Sequence, residues 1–574
     1  MSVETTNHKI KTVAFWGGGA TVSLGMATTK QQNGIFLALS KKVSHAPYRE
    51  CLLPYREDVY GDCFDDVCDL LTLIDDDVDT KAEKYAAGYR MSGFSDRQLD
   101  IISRHADELG NKEEIQRNRI IMMRLRYDWA AAMRILRLLR EDVKEDGISS
   151  DTFTQKIYNL LDAHMSDNIG MHVFDDSKSV LSNFLDVTRL KAAKSALVMF
   201  INLTFAAAWA NKRNNVDKLS PYARFGDMLA AIRAREAQDS VSGDDVEPVF
   251  PTTFVSMNFD PLLWWFIKNA DARYNRNPIH VGNDCAPLYL GEDVDQVDAV
   301  RRLGKVEESV SDGVLPESAA RFVNERGVRL AERCLARYQT VKILFPHGSP
   351  NLKICPCCGK TTLYQGNELS DSSESLFPPF FFRRLTWNCT PADALHGAGD
   401  AYDERQKWSE GELDHIQCRH CGRAIRMCDT EMVMQSGLKS PPSYLLQRIS
   451  HNMDNAVMNA NHIVLMGYGL PPDDGAMVAE LQARTTRENK EDVVCCSVVG
   501  FVENGEDRWL YGAEAEAAAK NCEAVDRAIR IFGKERVRCH LKGIPAVFSD
   551  EEFVRDMLYP TEWIEKMINK VRLK

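Results

Sequence analysis

Lys11-Thr-Val-Ala-Phe-Trp-Gly-Gly-Gly-Ala-Thr-Val-Ser-Leu-Gly25 is the stretch on which the reading of this chain turns. The apolar run Val13 to Trp16 has strand character and breaks abruptly into Gly17, Gly18 and Gly19. Small and hydroxylated residues, Ala20, Thr21 and Ser23, follow before a helix. A strand ending in glycine brings backbone N–H groups and a helix N-terminus to a place where a diphosphate can sit. The spacing Gly17-x-Gly19, with the next glycine at Gly25, departs from the usual dinucleotide fingerprint, which has glycine at position 22. A plain glycine-rich turn looks the same locally, so the choice depends on the rest of the chain.

The chain is long enough for several domains, at 574 residues, and its 44% apolar content supports a sizeable core. A net charge of −12 argues against a general nucleic-acid binder. The sixteen cysteines would suggest disulfides in a secreted protein, but Met1-Ser-Val-Glu-Thr-Thr-Asn-His-Lys9 lacks the apolar core of a signal peptide. The expectation is a cytoplasmic protein with reduced thiols, no membrane contact and no direct nucleic-acid binding. The apolar stretch Ser195 to Ala210 contains Asn202 and Thr204 and reads as a buried helix rather than a span.

Residues 30 to about 245 read as mostly helical, with helical spacing over Tyr127 to Leu139 and Asp186 to Ala210. The acidic runs Asp62, Asp65-Asp66 and Asp75-Asp76-Asp77 read as solvated helix faces or first turns. Strand signals return at Pro251 to Ser256, Val341 to Phe345, Asn461 to Met466 and Val493 to Val499. A helix over Ala513 to Phe532 and a strand near His540 to Phe548 follow. Short buried strands separated by helices argue for a parallel α/β sheet.

Three strand ends carry chemistry. Phe254-Val-Ser-Met-Asn-Phe-Asp260 places Asn258 and Asp260 past a strand's carboxyl end, where open α/β sheets bind ligands. Val341-Lys-Ile-Leu-Phe-Pro-His-Gly348 does the same for His347, and Asn461 to Met466 opens into Gly467-Tyr-Gly-Leu-Pro-Pro-Asp-Asp474. Singly, each is an ordinary turn or cap. The cysteines add a stronger motif: Cys355-Pro-Cys-Cys358-Gly and Cys418-Arg-His-Cys421-Gly are two Cys-x-x-Cys knuckles suited to tetrahedral zinc. Their separation of 59 residues exceeds the common range of roughly 15–20, and Cys357, Cys389, Cys428, His415 and His420 are nearby substitutes. A four-cysteine site, Cys355, Cys358, Cys418 and Cys421, would be closed and structural.

In this order the motifs resemble the sirtuin family in its broad sense. Gly17 to Ala27 is similar to the sirtuin Gly-Ala-Gly-x-Ser-x-x-x-Gly-Ile-Pro segment, and Ser256-Met-Asn-Phe-Asp260 to Thr-Gln-Asn-Ile-Asp. His347-Gly348 is similar to the catalytic His-Gly, the paired knuckles follow it, and Gly467-Tyr-Gly-Leu470 is similar to Gly-Thr-Ser-Leu. The Gly-Tyr-x-Leu-Pro-x-x-Asp form and the large helical insertion look more like the bacterial sirtuin-like group, which commonly serves anti-phage defence by destroying NAD+. The resemblance implies a Rossmann-like parallel sheet with helices on both faces, a large helical insertion and a small zinc-binding insertion. The implied NAD-binding core is discontinuous over 11–30, 246–354 and 430–548. The helical insertion covers 31–245, the zinc-knuckle insertion 355–429, and a C-terminal helix 549–574. Thr28-Thr29-Lys30 stands where deacylases have Asp-Phe-Arg, with Phe36 as a candidate substitute aromatic.

What the resemblance implies is a sirtuin-like NAD+ glycohydrolase giving ADP-ribose and nicotinamide. Gly17, Gly18, Gly19, Ala20, Thr21 and Ser23 would hold the diphosphate. Asn258 would place the ribose and a water, Asp260 would bind the nicotinamide side or orient the loop, and His347 would be the general base. Gly467, Tyr468 and Gly469 would face the adenosine half. Implied partners are NAD+, further copies of the chain, and a hexameric helicase-like ATPase or another defence-system protein. An NAD-dependent deacylase and a non-catalytic NAD-binding subunit are the alternatives. A dehydrogenase is disfavoured by the missing acidic ribose-binding residue about 20 positions after the glycine loop.

Overall fold

The computed structural model describes residues 10–42, 46–75, 126–145, 153–175, 180–212, 216–239, 249–275, 340–363, 376–377, 415–417, 421, 424–433, 443–471, 474–487 and 493–572. Seven strands form the principal sheet: β1 (Thr12–Trp16), β2 (Val249–Ser256), β3 (Thr340–Leu344), β4 (His462–Met466), β5 (Cys495–Val499), β6 (Leu510–Tyr511) and β7 (Val537–His540). Their spatial order is β6-β7-β5-β4-β1-β2-β3. Every neighbouring pair is parallel except β6–β7 at the edge. The fold is α/β.

Continuous apolar runs explain the parallel centre. Every residue of β1, β4 and β5 is buried, as strands covered on both faces require. Register then aligns the strand ends: Trp16 pairs with Met466 on one side and Ser256 on the other, and Met466 pairs with Val499. The turns after β1, β2 and β4 therefore leave the sheet side by side. The chain steps outward from β1 through β2 to β3, then returns to β1's other flank with β4, and such a reversal opens a crevice at the carboxyl ends of the strands.

One polar chain crosses this apolar sheet. Arg538 Nε donates to Ser497 Oγ at 2.8 Å, the Ser497 hydroxyl donates to His462 Nε2 at 2.7 Å, and His462 Nδ1 donates to Thr12 Oγ1 at 3.3 Å. The Thr12 hydroxyl completes it on the Leu558 carbonyl at 2.6 Å, which fixes the direction of every bond. Burial and the nearby Arg538 charge hold the His462 imidazole well below its usual range, so it stays neutral. Arg538 is completely buried, bridges to Asp556 at 2.6 Å, and lies 4.0 and 4.9 Å from the Trp509 and Trp563 ring centroids. These bonds tie the C-terminal helices to the sheet.

The chain divides into two compact units, the first comprising Met1–Ser23, Asn215–Ser349 and Ser443–Lys574, the second Leu24–Asn214 and Pro350–Pro442. The second unit is built on the helices Thr29–Ser40, Trp129–Glu145, Phe153–Ser166 and Val187–Lys212. Thr28 and Gln31 form a reciprocal capping box at the first of these. Phe36 is buried in this helical core with its ring against Phe200. Val187–Asn211 is long and apolar enough to cross a membrane by length and composition, yet 83% of its apolar window is buried.

Several elements differ from the sequence expectation. A hairpin, Met171–Asp175 with Val180–Leu185, interrupts the helical stretch. Asp75 is no solvated residue: it is buried, accepts the Tyr48 hydroxyl and pairs with Lys42 at 3.5 Å. Asp76 and Asp77 lie outside the described residues. The helix expected over Ala513 to Phe532 is two, Ala513–Ala518 and Glu523–Phe532, because Cys522 is extended. The late strand ends at His540, and Ile544–Val547 is a helical turn opened by Gly543 at φ +100° with Pro545 in its first turn. The C-terminal segment holds two helices, Glu551–Leu558 and Thr561–Arg572.

Candidate functional site

The glycines after β1 make a tight 3-10 turn, Gly18–Ala20, locked against the turn after β4. Gly17 N–H donates to the Met466 carbonyl and Gly19 N–H to the Gly467 carbonyl, both at 2.9 Å. A methyl group on Gly17 would lie 2.5 Å from the Tyr468 Cα, and one on Gly467, at φ +60°, would lie 2.2 Å from the Ala20 nitrogen. The two glycine turns therefore touch through bare backbone, which is what their composition permits. Ala20 and Thr21 N–H groups donate back to Gly17 and Gly18 carbonyls at 2.8 and 3.2 Å. The N–H groups expected to face a diphosphate are thus largely engaged inside the protein, and Gly18 and Gly19 are the exposed positions of this turn.

Asn258 and Asp260 hold that turn from β2. Asn258 Nδ2 donates to the Gly17 carbonyl at 3.0 Å and to Thr21 Oγ1 at 3.2 Å. Thr21 Oγ1 donates in turn to Asp260 Oδ2 at 3.2 Å, and Asp260 Oδ1 accepts from Leu262 N–H at 3.2 Å. Complete burial pushes the Asp260 carboxyl up to about 6, against bonds from Leu262, Thr21 and Asn258 that pull it down. Burial is the larger effect and outweighs those bonds. Asp260 reaches the site through Thr21.

His347 follows β3 on a turn closed by Gly348, at φ +73°, whose N–H donates to the Phe345 carbonyl at 2.9 Å. Its Nδ1 lies 3.2 Å from the Met257 carbonyl oxygen, which can only accept, so Nδ1 carries the proton and Nε2 is the edge for chemistry. His347 and Asn258 are thereby coupled through adjacent residues of one turn.

Other sequence candidates are committed elsewhere. The Tyr468 ring stacks on Phe15 and its hydroxyl bonds Asp474 Oδ2 at 2.6 Å, so its side chain faces inward. Ser23 Oγ bonds the Tyr222 hydroxyl, which also donates to the Ala20 carbonyl at 2.6 Å. Burial pushes the Tyr222 phenol up to about 12, keeping it a donor. Gly469 has open space around it, while Arg527 caps the Gly469 and Leu470 carbonyls at 2.8 and 3.1 Å. Sequence reading missed Tyr222 and Arg527, since nothing local marks a tyrosine 199 positions from its serine partner. Asp474 closes the Gly467–Asp474 turn, where residue type alone gives it no role beyond a helix cap.

In the second unit, the sulfurs of Cys355, Cys358 and Cys421 lie within 4.8 Å of one another, with Cys355 and Cys421 at 3.5 Å, and this cluster could hold a metal ion. The first knuckle is a tight turn in which Gly359, at φ +68°, donates to the Cys355 carbonyl at 2.8 Å. Among the described residues, neither Cys357 nor Cys428 joins the cluster. Cys418, Cys389 and His420 lie outside the described residues, as does the side chain of His415.

Comparison with protein-family models gives no match, and comparison with curated proteins gives none.

Proposed function

We propose that the protein hydrolyses the nicotinamide–ribose bond of NAD+, giving ADP-ribose and nicotinamide. The observation that carries this reading is one continuous hydrogen-bonded path at the strand ends. His347 Nδ1 meets Met257, the adjacent Asn258 donates to Gly17 and Thr21, and Gly19 donates to Gly467. Residues from four separate stretches, each similar to a sirtuin motif, are linked by these bonds at neighbouring strand ends, which supports the reading. The strand order has the β3-β2-β1-β4-β5 progression of dinucleotide-binding sheets, which supports a Rossmann-like assignment.

In this mechanism the diphosphate sits against the exposed backbone of Gly18 and Gly19. Nicotinamide leaves as a neutral molecule, so no acid is needed, and the barrier falls through orientation and stabilisation of an oxocarbenium-like ribose. Water bonds to the anomeric carbon as the glycosidic bond breaks towards nicotinamide, and His347 Nε2 takes the water's proton. Asn258 and Asp260 keep the glycine turn in place under the ribose. Three clustered thiolates suit soft, tetrahedral zinc, and with Cys418 as fourth ligand the ion would be structural, bracing an insertion. The same resemblance supports a cytoplasmic role in bacterial anti-phage defence, in homo-oligomers or with an ATPase partner.

The test is product analysis with NAD+ alone. Free ADP-ribose without any acylated peptide selects hydrolysis. O-acyl-ADP-ribose formed only with an acylated peptide selects the deacylase, for which the cysteine knuckles speak. Saturable NAD+ binding without product selects a non-catalytic subunit.

A further inference from the structure

Asp474 occupies the N-cap of the helix Gly475–Thr486, where a carboxylate ordinarily accepts from first-turn N–H groups. Its side chain makes no such bond. One oxygen, Oδ2, accepts the Tyr468 hydroxyl at 2.6 Å, and the other, Oδ1, faces His347 Nε2 at 3.7 Å. The two side chains are only 12% and 11% exposed. Because Nδ1 already donates to the Met257 carbonyl, both ring nitrogens of His347 face oxygens that accept. A second proton on Nε2 satisfies both, whereas the neutral ring sets a lone pair against a carboxylate. Among the described residues, the other ionisable groups on these turns and packed against them are Tyr468 itself, the buried Asp260, which is engaged with Thr21 and Leu262, and Arg527, which caps the Gly469 and Leu470 carbonyls. Asp473 lies outside the described residues. Phe259 supplies an apolar ring at 6.2 Å.

We propose that Asp474 is a positioning residue for His347: with Tyr468 fixing its far oxygen, it orients the Nε2 edge and stabilises the proton that Nε2 acquires. The catalytic meaning of this pair rests on His347 being the base of the proposed reaction. A water or ribose hydroxyl about 2.8 Å from both Nε2 and Oδ1 can bridge the 3.7 Å gap. As the water oxygen bonds to the anomeric carbon, its O–H bond breaks towards Nε2. The glycosidic electron pair departs with nicotinamide, and the imidazolium left behind faces the Asp474 carboxylate.

The experiment is a pH titration of the full-length protein labelled with [15N]histidine, with His347 assigned by its disappearance in His347→Gln. In Asp474→Asn the His347 ring should lose its second proton at a pH about one unit lower than in wild type. Asp474→Glu should recover part of that shift, which a merely structural role would not do. Tyr468→Phe, which removes only the hydroxyl, should give a smaller shift in the same direction and serves if Asp474→Asn does not fold. An unchanged His347 titration in a folded Asp474→Asn protein, or in Tyr468→Phe where that variant stands in, overturns the proposal. The readout needs no turnover, so the two readings fail separately. The shift without NAD+ cleavage keeps the pair and removes the reaction; cleavage without the shift does the reverse.

Discussion

Replacing Gly17 by alanine sets a methyl group 2.5 Å from the Tyr468 Cα, 2.6 Å from the Gly467 carbonyl oxygen and 2.7 Å from the Tyr468 Cβ. Carbon contacts settle at about 3.5–4.0 Å, so the two glycine turns must part by about 1 Å. Overpacking of this kind costs about 1–3 kcal/mol. Separation also stretches the bonds from Gly17 N–H to Met466 and Gly19 N–H to Gly467, each worth about 1 kcal/mol. The expected loss is therefore about 2–4 kcal/mol. Gly18→Ala is the matched control, since its methyl group meets nothing nearer than Asn258 Oδ1 at 3.9 Å. Urea unfolding followed by tryptophan fluorescence should give Gly17→Ala a lower midpoint at unchanged slope and leave Gly18→Ala near wild type. Gly18→Ala should nevertheless weaken NAD+ binding, because Gly18 is exposed where the diphosphate is proposed to lie. Equal stability of the two variants would refute the packing argument.

Asp260→Asn tests the buried carboxylate. A midpoint moved from 3.8 to about 6 means the folded state loses stability from this group as pH rises between those values, by about 3 kcal/mol at pH 7 and above. The variant should gain on wild type across that window and not below it, read by urea unfolding at each pH. His462 acts with the opposite sign: its folded midpoint lies well below 6.5, so stability should fall by about 1.4 kcal/mol per pH unit below 6.5. His462→Gln should flatten that slope in the same unfolding series. Cys421→Ser should lower the zinc that co-purifies with the protein, measured by plasma mass spectrometry, and leave the β1–β4 glycine turns intact as judged by NAD+ binding.

How much was legible depended on whether a residue's task was local. The runs Val13 to Trp16 and Ile463 to Met466 are apolar on every position, short, and bounded by glycine, which suits a strand covered on both faces, so the parallel centre could be read from them. The positions of Asn258 and His347 past strand ends were equally plain. Their partners were not. Asn258 reaches Gly17 across 241 positions and Tyr222 reaches Ala20 across 202, and periodicity carries no trace of either. Asp75 shows the same limit from the other side: an acidic run looks solvated until Tyr48 and Lys42 fold over it. Proline in the first turn of Ile544–Val547 is a visible signal against a strand there.

The most direct test of the central claim is ADP-ribose release from NAD+, followed by mass spectrometry. It uses the protein purified, together with whatever co-purifies, from phage-challenged bacteria. The account predicts free ADP-ribose and nicotinamide from wild type, and a loss of about 10²-fold or more in both His347→Ala and Asn258→Ala. Undiminished ADP-ribose release by both variants, or saturable NAD+ binding by wild type with no product, would contradict it.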